Sequence, residues 1–165
     1  MQHQMDYIFF VYGLSFILLG LTTWTVKPQR THDFPWRWLG GFGLIHGLNE
    51  WLDMLAINLG DSPDFQGIRL AILIGSFFCL AEFGRQSLKR VTGKAPSSLY
   101  TMLLFIIAVL GSLDSPNGFN AAVRLTLGVY GCLLSGIALI KSASRPEFSH
   151  QRRGLLVCGI TMLIY

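Results

Sequence analysis

Four polar side chains recur along one face of an otherwise apolar segment: His46, Asn49, Glu50 and Asp53. Their offsets of 0, 3, 4 and 7 residues match the repeat of an α-helix, which places them in one stripe. Imidazole and carboxylate groups can hold a proton, pair with a cation, or bind a polar ligand or a metal. Because isolated polar groups are costly among apolar side chains, the spacing predicts a shared partner, ligand or water-filled cavity.

Three interpretations of this stripe stay open. It could be a set of internal ion pairs and hydrogen bonds that fixes helix packing. It could line a pocket for a small molecule, of which a polar or quinone-like ligand would suit these contacts. It could also bind a metal, because His46 and Glu50 lie one helical turn apart and Asp53 follows one turn later. The sequence assigns no cofactor, and a metal or quinone-like ligand is the candidate class.

The elements that position these residues are predicted from composition. Hydrophobic residues make up 52% and charged residues 13% of the 165 residues, whereas a soluble domain carries about 25% charged residues. An all-α polytopic membrane protein is therefore expected, with five complete spans and a sixth that is begun. The predicted spans are 7–26, 38–60, 66–84, 97–113, 118–140 and 154–165.

Basic residues concentrate in alternate connections between these spans. They are Lys27, Arg30, Arg37, Arg85, Lys89, Arg90, Lys94, Lys141, Arg145, Arg152 and Arg153. The positive-inside rule predicts that these connections are cytoplasmic and that the N-terminus faces outward. The net charge of +4 therefore reports topology in the lipid bilayer, and nothing indicates nucleic-acid binding.

Two arginines are candidate partners for the acidic groups of the stripe. The orientation predicted above places Asp53 about 10 Å below the outer end of the second helix, at 1.5 Å per residue. Arg124 is expected at a similar depth, and Arg69 lies near the outer end of the third helix. Pairing Asp53 or Glu50 with Arg124 or Arg69 would neutralise charges that are costly in lipid. We therefore predict a polar core in the outer leaflet.

Two further patterns concern signal transmission and helix packing. Glu82 and Arg85 lie one turn apart near the predicted cytoplasmic end of the third helix, where they would form an interfacial ion pair or link movement of that helix to a cytoplasmic element. Gly43-x-x-x-Gly47 and Gly131-x-x-x-Ser135 place small residues at helical spacing. Such residues let helix backbones approach closely.

The last apolar segment, 154–165, is about half the length that a crossing requires. We therefore expect the chain to be the front part of a longer protein with seven helices.

A resemblance to a known family follows from three segments. Tyr12-Gly13-Leu14-Ser15-Phe16, with Leu18-Leu19-Gly20-Leu21, precedes Gly43-Leu44-Ile45-His46-Gly47-Leu48-Asn49-Glu50-Trp51-Leu52-Asp53-Met54, and Glu82-Phe83-Gly84-Arg85 comes later. Together they resemble the N-terminal multi-helix membrane region of bacterial sensor histidine kinases and diguanylate cyclases that carry PAS domains. That family often has a second histidine where this chain has Asn49, and this difference weighs against a metal.

The resemblance implies a multi-pass signal-input domain of the bacterial inner membrane. It implies that the domain senses a small molecule or the membrane, redox or pH state and moves helices that control a cytoplasmic two-component kinase or a cyclase. It also implies a homodimer formed through the parent protein. The 165 residues contain no phosphoacceptor histidine box, nucleotide-binding glycine motif or cyclase signature, so this segment is not expected to be an enzyme. A small ion-coupled transporter and a structural subunit of a membrane complex are the alternatives.

Overall fold

The computed structural model describes residues 2–26, 34–110 and 116–164. Lys27 and Arg30 of the predicted connections lie outside the described residues. The described residues are 91% helical and contain no strand, which confirms the all-α prediction. The helices are α1 (Gln2–Thr25), α2 (Trp36–Leu59), α3 (Pro63–Thr92), α4 (Ser98–Leu110), α5 (Pro116–Val123), α6 (Val129–Ala143) and α7 (Arg152–Ile164), with a π-helical turn at Arg124–Gly128 and a 3-10 segment at Pro146–Gln151.

Three helical segments of the described chain are long and apolar enough to cross a membrane: Met5–Thr25, Pro63–Thr92 and Asn120–Ala143. They coincide with the predicted spans 7–26, 66–84 and 118–140. The third of them continues from α5 through the π-helical turn into α6. A membrane protein is therefore supported by length and composition.

The predicted five or six spans are not supported, because α2, α4 and α7 do not meet the same criteria. α4 and α7 contain 13 residues each, and about 20 are needed to cross the hydrocarbon. α2 contains 24 residues, but its polar stripe lowers its hydropathy. The prediction that the N-terminus lies outside the membrane is not supported either.

The described chain divides into two compact units, the first formed by Met1–Lys27 and Trp36–Cys79 and the second by Pro28–Pro35 and Leu80–Tyr165. In the first unit α1 and α2 form an antiparallel hairpin. The Asn58 side-chain amide donates a hydrogen bond to Asp6, and Trp51 stacks on Phe10. A Cβ on Gly43 would contact Gly20. Residues from the start of α1 thus meet residues from the end of α2.

Glycines set the distance between α1 and α2. A Cβ on Gly43 would lie 2.6 Å from the carbonyl oxygen of Phe16, and one on Gly47 would lie 2.6 Å from that of Gly13. Only a missing side chain allows two backbones to come so close. The predicted Gly43-x-x-x-Gly47 contact is therefore present, with its partners on α1.

The first part of α3 runs antiparallel to α2 in the same unit. Asp53 of α2 pairs with Arg69, His46 contacts Ser76, and Trp38 packs edge to face on Phe78 with ring centroids 6.2 Å apart. Residues later in α3 contact residues earlier in α2, as antiparallel packing requires. α2 therefore packs against both α1 and α3.

The second unit uses the same packing device. A Cβ on Gly84 of α3 would lie 2.6 Å from the backbone nitrogen of Ser135 in α6, and the Ser135 hydroxyl donates to the Leu80 carbonyl at 3.3 Å. A Cβ on Gly136 of α6 would lie 2.8 Å from the carbonyl oxygen of Gly159 in α7. The small residues at Gly131-x-x-x-Ser135 therefore face α3, as a packing motif predicts.

We predict that Gly43→Ala destabilises the hairpin by about 1–3 kcal/mol, because the new methyl group forces two backbones apart. Gly75→Ala on α3 is the matched control, since no heavy atom lies within 4 Å of a Cβ at that position. The control should be neutral or up to about 1 kcal/mol more stable through higher helix propensity. Unfolding of the full chain in mixed micelles measures both, and equal stability of the two variants would contradict the close-packing account.

Candidate functional site

His46 lies in the middle of the first unit and is 1% exposed. Three phenylalanine rings surround its imidazole, with ring centroids 4.7 Å away for Phe16, 5.0 Å for Phe42 and 5.3 Å for Phe77. These rings come from α1, α2 and α3 respectively. The imidazole is therefore held where charge is poorly solvated, and hydrogen bonds must determine its protonation.

The hydrogen bonds of His46 assign one tautomer. Nδ1 lies 3.1 Å from Oγ of Ser76, and the Ser76 hydroxyl donates to the Leu73 carbonyl at 2.7 Å. A hydroxyl has one hydrogen to donate, so we infer that Ser76 accepts from His46 and that Nδ1 carries a proton. This assignment leaves Nε2 facing Oε1 of Glu50 at 3.5 Å.

Nε2 of His46 and Oε1 of Glu50 lie within ion-pair distance of each other but form no hydrogen bond. Either the imidazole is protonated at both nitrogens and pairs with a carboxylate, or a protonated Glu50 faces a neutral Nε2. Both arrangements have no net charge, whereas gain or loss of one proton leaves a charge among the three phenylalanine rings. Glu50 is only 3% exposed. Both side chains of the pair are thus shielded from solvent.

Asn49 supplies a second buried polar group on the same stripe. Its amide nitrogen donates to Oδ2 of Asp53 at 3.1 Å. Its carbonyl oxygen is buried, and the described residues offer it no hydrogen-bond donor. A buried acceptor of this kind is unfavourable until a donor reaches it. A ligand or water that donates a hydrogen bond to this oxygen would therefore remove that unfavourable free energy.

Asp53 and Arg69 continue the polar path toward the end of the unit. The Arg69 guanidinium pairs with Asp53 through Nη1 and with Asp61 through Nη2. The side chains of Arg69 and Asp53 are largely buried, whereas that of Asp61 is 35% exposed. The pairing of Asp53 with Arg69 that the sequence suggested is present. His46, Glu50, Asn49, Asp53 and Arg69 are called the polar cluster below.

The proposed metal ligands do not assemble. Among the described residues, no three His, Cys, Asp or Glu side chains are close enough to hold a metal ion, so His46, Glu50 and Asp53 form no such site. The reason is visible in the contacts of Asp53, whose two oxygens are directed to Asn49 and Arg69. The metal interpretation therefore lacks a third ligand here.

Arg124 lies in the second unit, at the first residue of the π-helical turn in the third candidate span. Its Nε donates to Oδ1 of Asn120 at 2.8 Å. Its predicted pairing with Asp53 or Glu50 joins residues of different units and stays a prediction. Short π-helical turns inside α-helices occur frequently at functional sites.

Glu82 and Arg85 form the ion pair that their spacing predicts. Arg85 donates from Nε to Oε2 at 2.8 Å and from Nη2 to Oε1 at 2.6 Å, and Gln86 donates to Oε1 at 2.7 Å. The carboxylate is thus held at both oxygens by residues of its own helix. The transmitting role predicted for Glu82 and Arg85 stays a prediction, and α3 is the helix that would carry it.

Sequence reasoning missed three sets of residues that contact the polar cluster. Ser76 is a lone hydroxyl in an apolar helix, and nothing in its neighbours marks it as the partner of His46. Asp61 reads as a residue of a turn, and its contact with Arg69 depends on how α2 and α3 are joined. The phenylalanine rings around His46 read as ordinary core residues, although the position of Phe42, one turn before His46, indicated a shared face.

No protein-family model matches the chain, and no curated protein and no solved structure matches it. The resemblance to bacterial sensor proteins therefore stays a prediction, and the geometry of the polar cluster carries the functional argument.

We predict that Ser76→Ala costs about 1–3 kcal/mol of stability, because it leaves the buried Nδ1–H of His46 without its acceptor. Ser15→Ala is the control, since the exposed Ser15 hydroxyl bonds only within its own helix at 2.8 Å from the Val11 carbonyl. That variant should stay within about 0.5 kcal/mol of the parent. Unfolding in mixed micelles measures both, and imidazole nitrogen shifts should report a proton on Nδ1. An unprotonated Nδ1 in the parent chain would overturn the assigned tautomer.

Proposed function

We propose that the chain is a membrane-embedded signal-input domain in which the polar cluster receives the signal. The observation that carries the proposal is the buried His46–Glu50 pair on the same stripe of α2 as Asn49, whose carbonyl oxygen has no donor among the described residues. A cluster built only to hold helices together would be expected to satisfy all of its buried polar atoms. This one combines a titratable pair with an acceptor to which a donor can bind.

The signal is a change in proton occupancy of the pair or the arrival of a small molecule that donates a hydrogen bond to Asn49. Either event changes the charge or polarity beside Phe16, Phe42 and Phe77. The two states of the cluster then favour different packing of α1, α2 and α3. A ligand shifts such an equilibrium only by its difference in affinity for the two states.

The antiparallel packing supports a topology in which α2 also crosses the membrane. α1 and the following helix share contacts along their full length, and α1 and α3 are both candidate spans. With 24 residues, α2 extends about 36 Å at 1.5 Å per residue, and its polar stripe faces protein. His46 then lies near the bilayer centre, because it packs on Phe16 in the middle of α1.

In the topology that we propose, the basic end of α3 lies on the cytoplasmic side of a bacterial inner membrane and the N-terminus lies outside, in line with the positive-inside rule. α3 is one continuous helix from Pro63 to Thr92. It carries Arg69 and Ser76, which contact α2, and also Glu82 and Arg85. A shift or rotation that begins at Ser76 would therefore reach the ion pair about 9 Å further along the same helix. The output we propose is a cytoplasmic kinase or cyclase of a dimeric parent protein.

We predict that Glu50→Gln abolishes the response of α3 to protons, because an amide cannot share the proton of His46. A bimane fluorophore on Lys89→Cys, in a background with Cys79→Ala, Cys132→Ala and Cys158→Ala, reports the end of α3 in nanodiscs. Its emission should change between about pH 5 and pH 8, the range in which an unperturbed imidazole gains or loses its charge. A short-chain quinone serves as a second stimulus for the ligand interpretation.

Asp6→Asn is the matched control for Glu50→Gln. It makes the same carboxylate-to-amide change on a half-buried residue of the first unit, which accepts a hydrogen bond from Asn58 at 3.0 Å. The control should keep the parent's response. An emission that neither protons nor quinone change would support a purely structural cluster, and proton flux into liposomes that requires Glu50 would support a transporter.

A further inference from the structure

An open groove lies in the first unit, at the opposite end of the α1–α2 hairpin from Asp53 and Arg69. Its volume is about 550 Å³, within the range of roughly 300–1,000 Å³ that small-molecule sites occupy. Trp24 of α1, Arg37, Trp38 and Gly41 of α2, and Cys79 of α3 line it together with aliphatic side chains of α2. We call it the Trp24 groove. It shares no residue with the polar cluster.

The Trp24 groove combines an apolar body with one cationic group. Its lining is two indole rings, aliphatic side chains, a glycine and a thiol, and Arg37 is the charged member. The Arg37 guanidinium lies over the Trp24 ring at 5.6 Å from the centroid. A guanidinium has five N–H donors, so a cation–π contact with one indole ring leaves donors available to an anion.

The position of the groove along the helices matches the membrane interface. Trp24 is the next to last residue of the candidate span Met5–Thr25, and Arg37 lies in the first turn of α2. Tryptophan prefers the level of the lipid headgroups because its indole is both apolar and able to donate a hydrogen bond. The positive end of the α2 dipole adds to the potential of Arg37 at this level. Trp24 is 48% exposed, so the groove is open from outside the protein.

We propose that the Trp24 groove binds one anionic phospholipid from the surrounding bilayer. An acyl chain lies along the apolar lining between Trp24, Trp38 and Gly41, and the phosphate accepts hydrogen bonds from Arg37. Charge complementarity selects an anionic lipid over a zwitterionic one, because the groove presents a cation and none of the described residues that line it is acidic. This site is independent of the signal that the polar cluster receives.

The first experiment measures lipid affinity of the full chain in detergent by native mass spectrometry. Phosphatidylglycerol and phosphatidylcholine with identical acyl chains are the probes. Phosphatidylglycerol should bind more tightly, and Arg37→Gln should weaken it about ten-fold, the loss expected for a charge-assisted contact. Arg153→Gln, which removes the same charge from the first turn of α7, should leave the affinity unchanged. Equal effects of the two arginine substitutions would overturn the proposal.

A steric variant tests the apolar part of the groove. A Cβ at Gly41 would lie 3.5 Å from Sγ of Cys79, so the first carbon of a larger side chain fits and the remainder fills the groove. Gly41→Leu should abolish binding of both lipids, whereas Gly75→Leu, at a position with open space around it, should not. Unchanged phosphatidylglycerol binding by Gly41→Leu would also overturn the proposal.

The second experiment does not depend on how those variants fold. In a chain with Cys132→Ala and Cys158→Ala, the half-buried Cys79 is the remaining thiol, and its alkylation by a maleimide is timed. Phosphatidylglycerol should slow alkylation several-fold more than phosphatidylcholine. Three outcomes contradict the proposal: no slowing at saturating lipid, slowing by oleate alone, and slowing that rises with protein concentration without lipid. The second would identify a free fatty acid, and the third a second copy of the chain.

Discussion

The fold of the first unit depends on the burial of polar side chains on α2, which are unfavourable there unless other helices supply partners. α3 supplies two of them, Ser76 for His46 and Arg69 for Asp53. Each contact fixes both the register of α3 against α2 and the face that α2 turns inward. Since a helix shift of one residue would separate these groups, the polar contacts specify the arrangement in addition to stabilising it.

Close packing of backbones is the second constraint, and it makes the first possible. Gly20 and Gly43 bring α1 so near to α2 that Phe16 reaches the imidazole of His46. With larger residues at the glycine positions, the ring would move away and the space around the imidazole would open to solvent or lipid. The apolar surroundings of the His46–Glu50 pair therefore originate in residues with no functional groups of their own.

The sequence indicated much of this organisation because its signals are local. The helical class followed from composition, three spans followed from length and hydropathy, and the stripe from His46 to Asp53 followed from periodicity. The count of spans was not supported, because α4 and α7 are short and the polar residues of α2 lower its hydropathy. The metal interpretation did not hold for the described residues, because spacing on one helix says nothing about which groups turn toward a neighbouring helix.

The amino-acid sequence by itself determined which residues are polar within apolar helices and which positions allow close contact, since both depend only on residue type and helical period. Tertiary structure decided the partners. Ser76 accepts from His46, Arg69 bridges Asp53 and Asp61, and the Asn49 carbonyl oxygen lacks a donor among the described residues, because α2 and α3 meet in one antiparallel register. Hydrogen bonds act over about 3 Å, so their pairing depends on how helices distant in sequence pack, and periodicity within one helix does not contain that information.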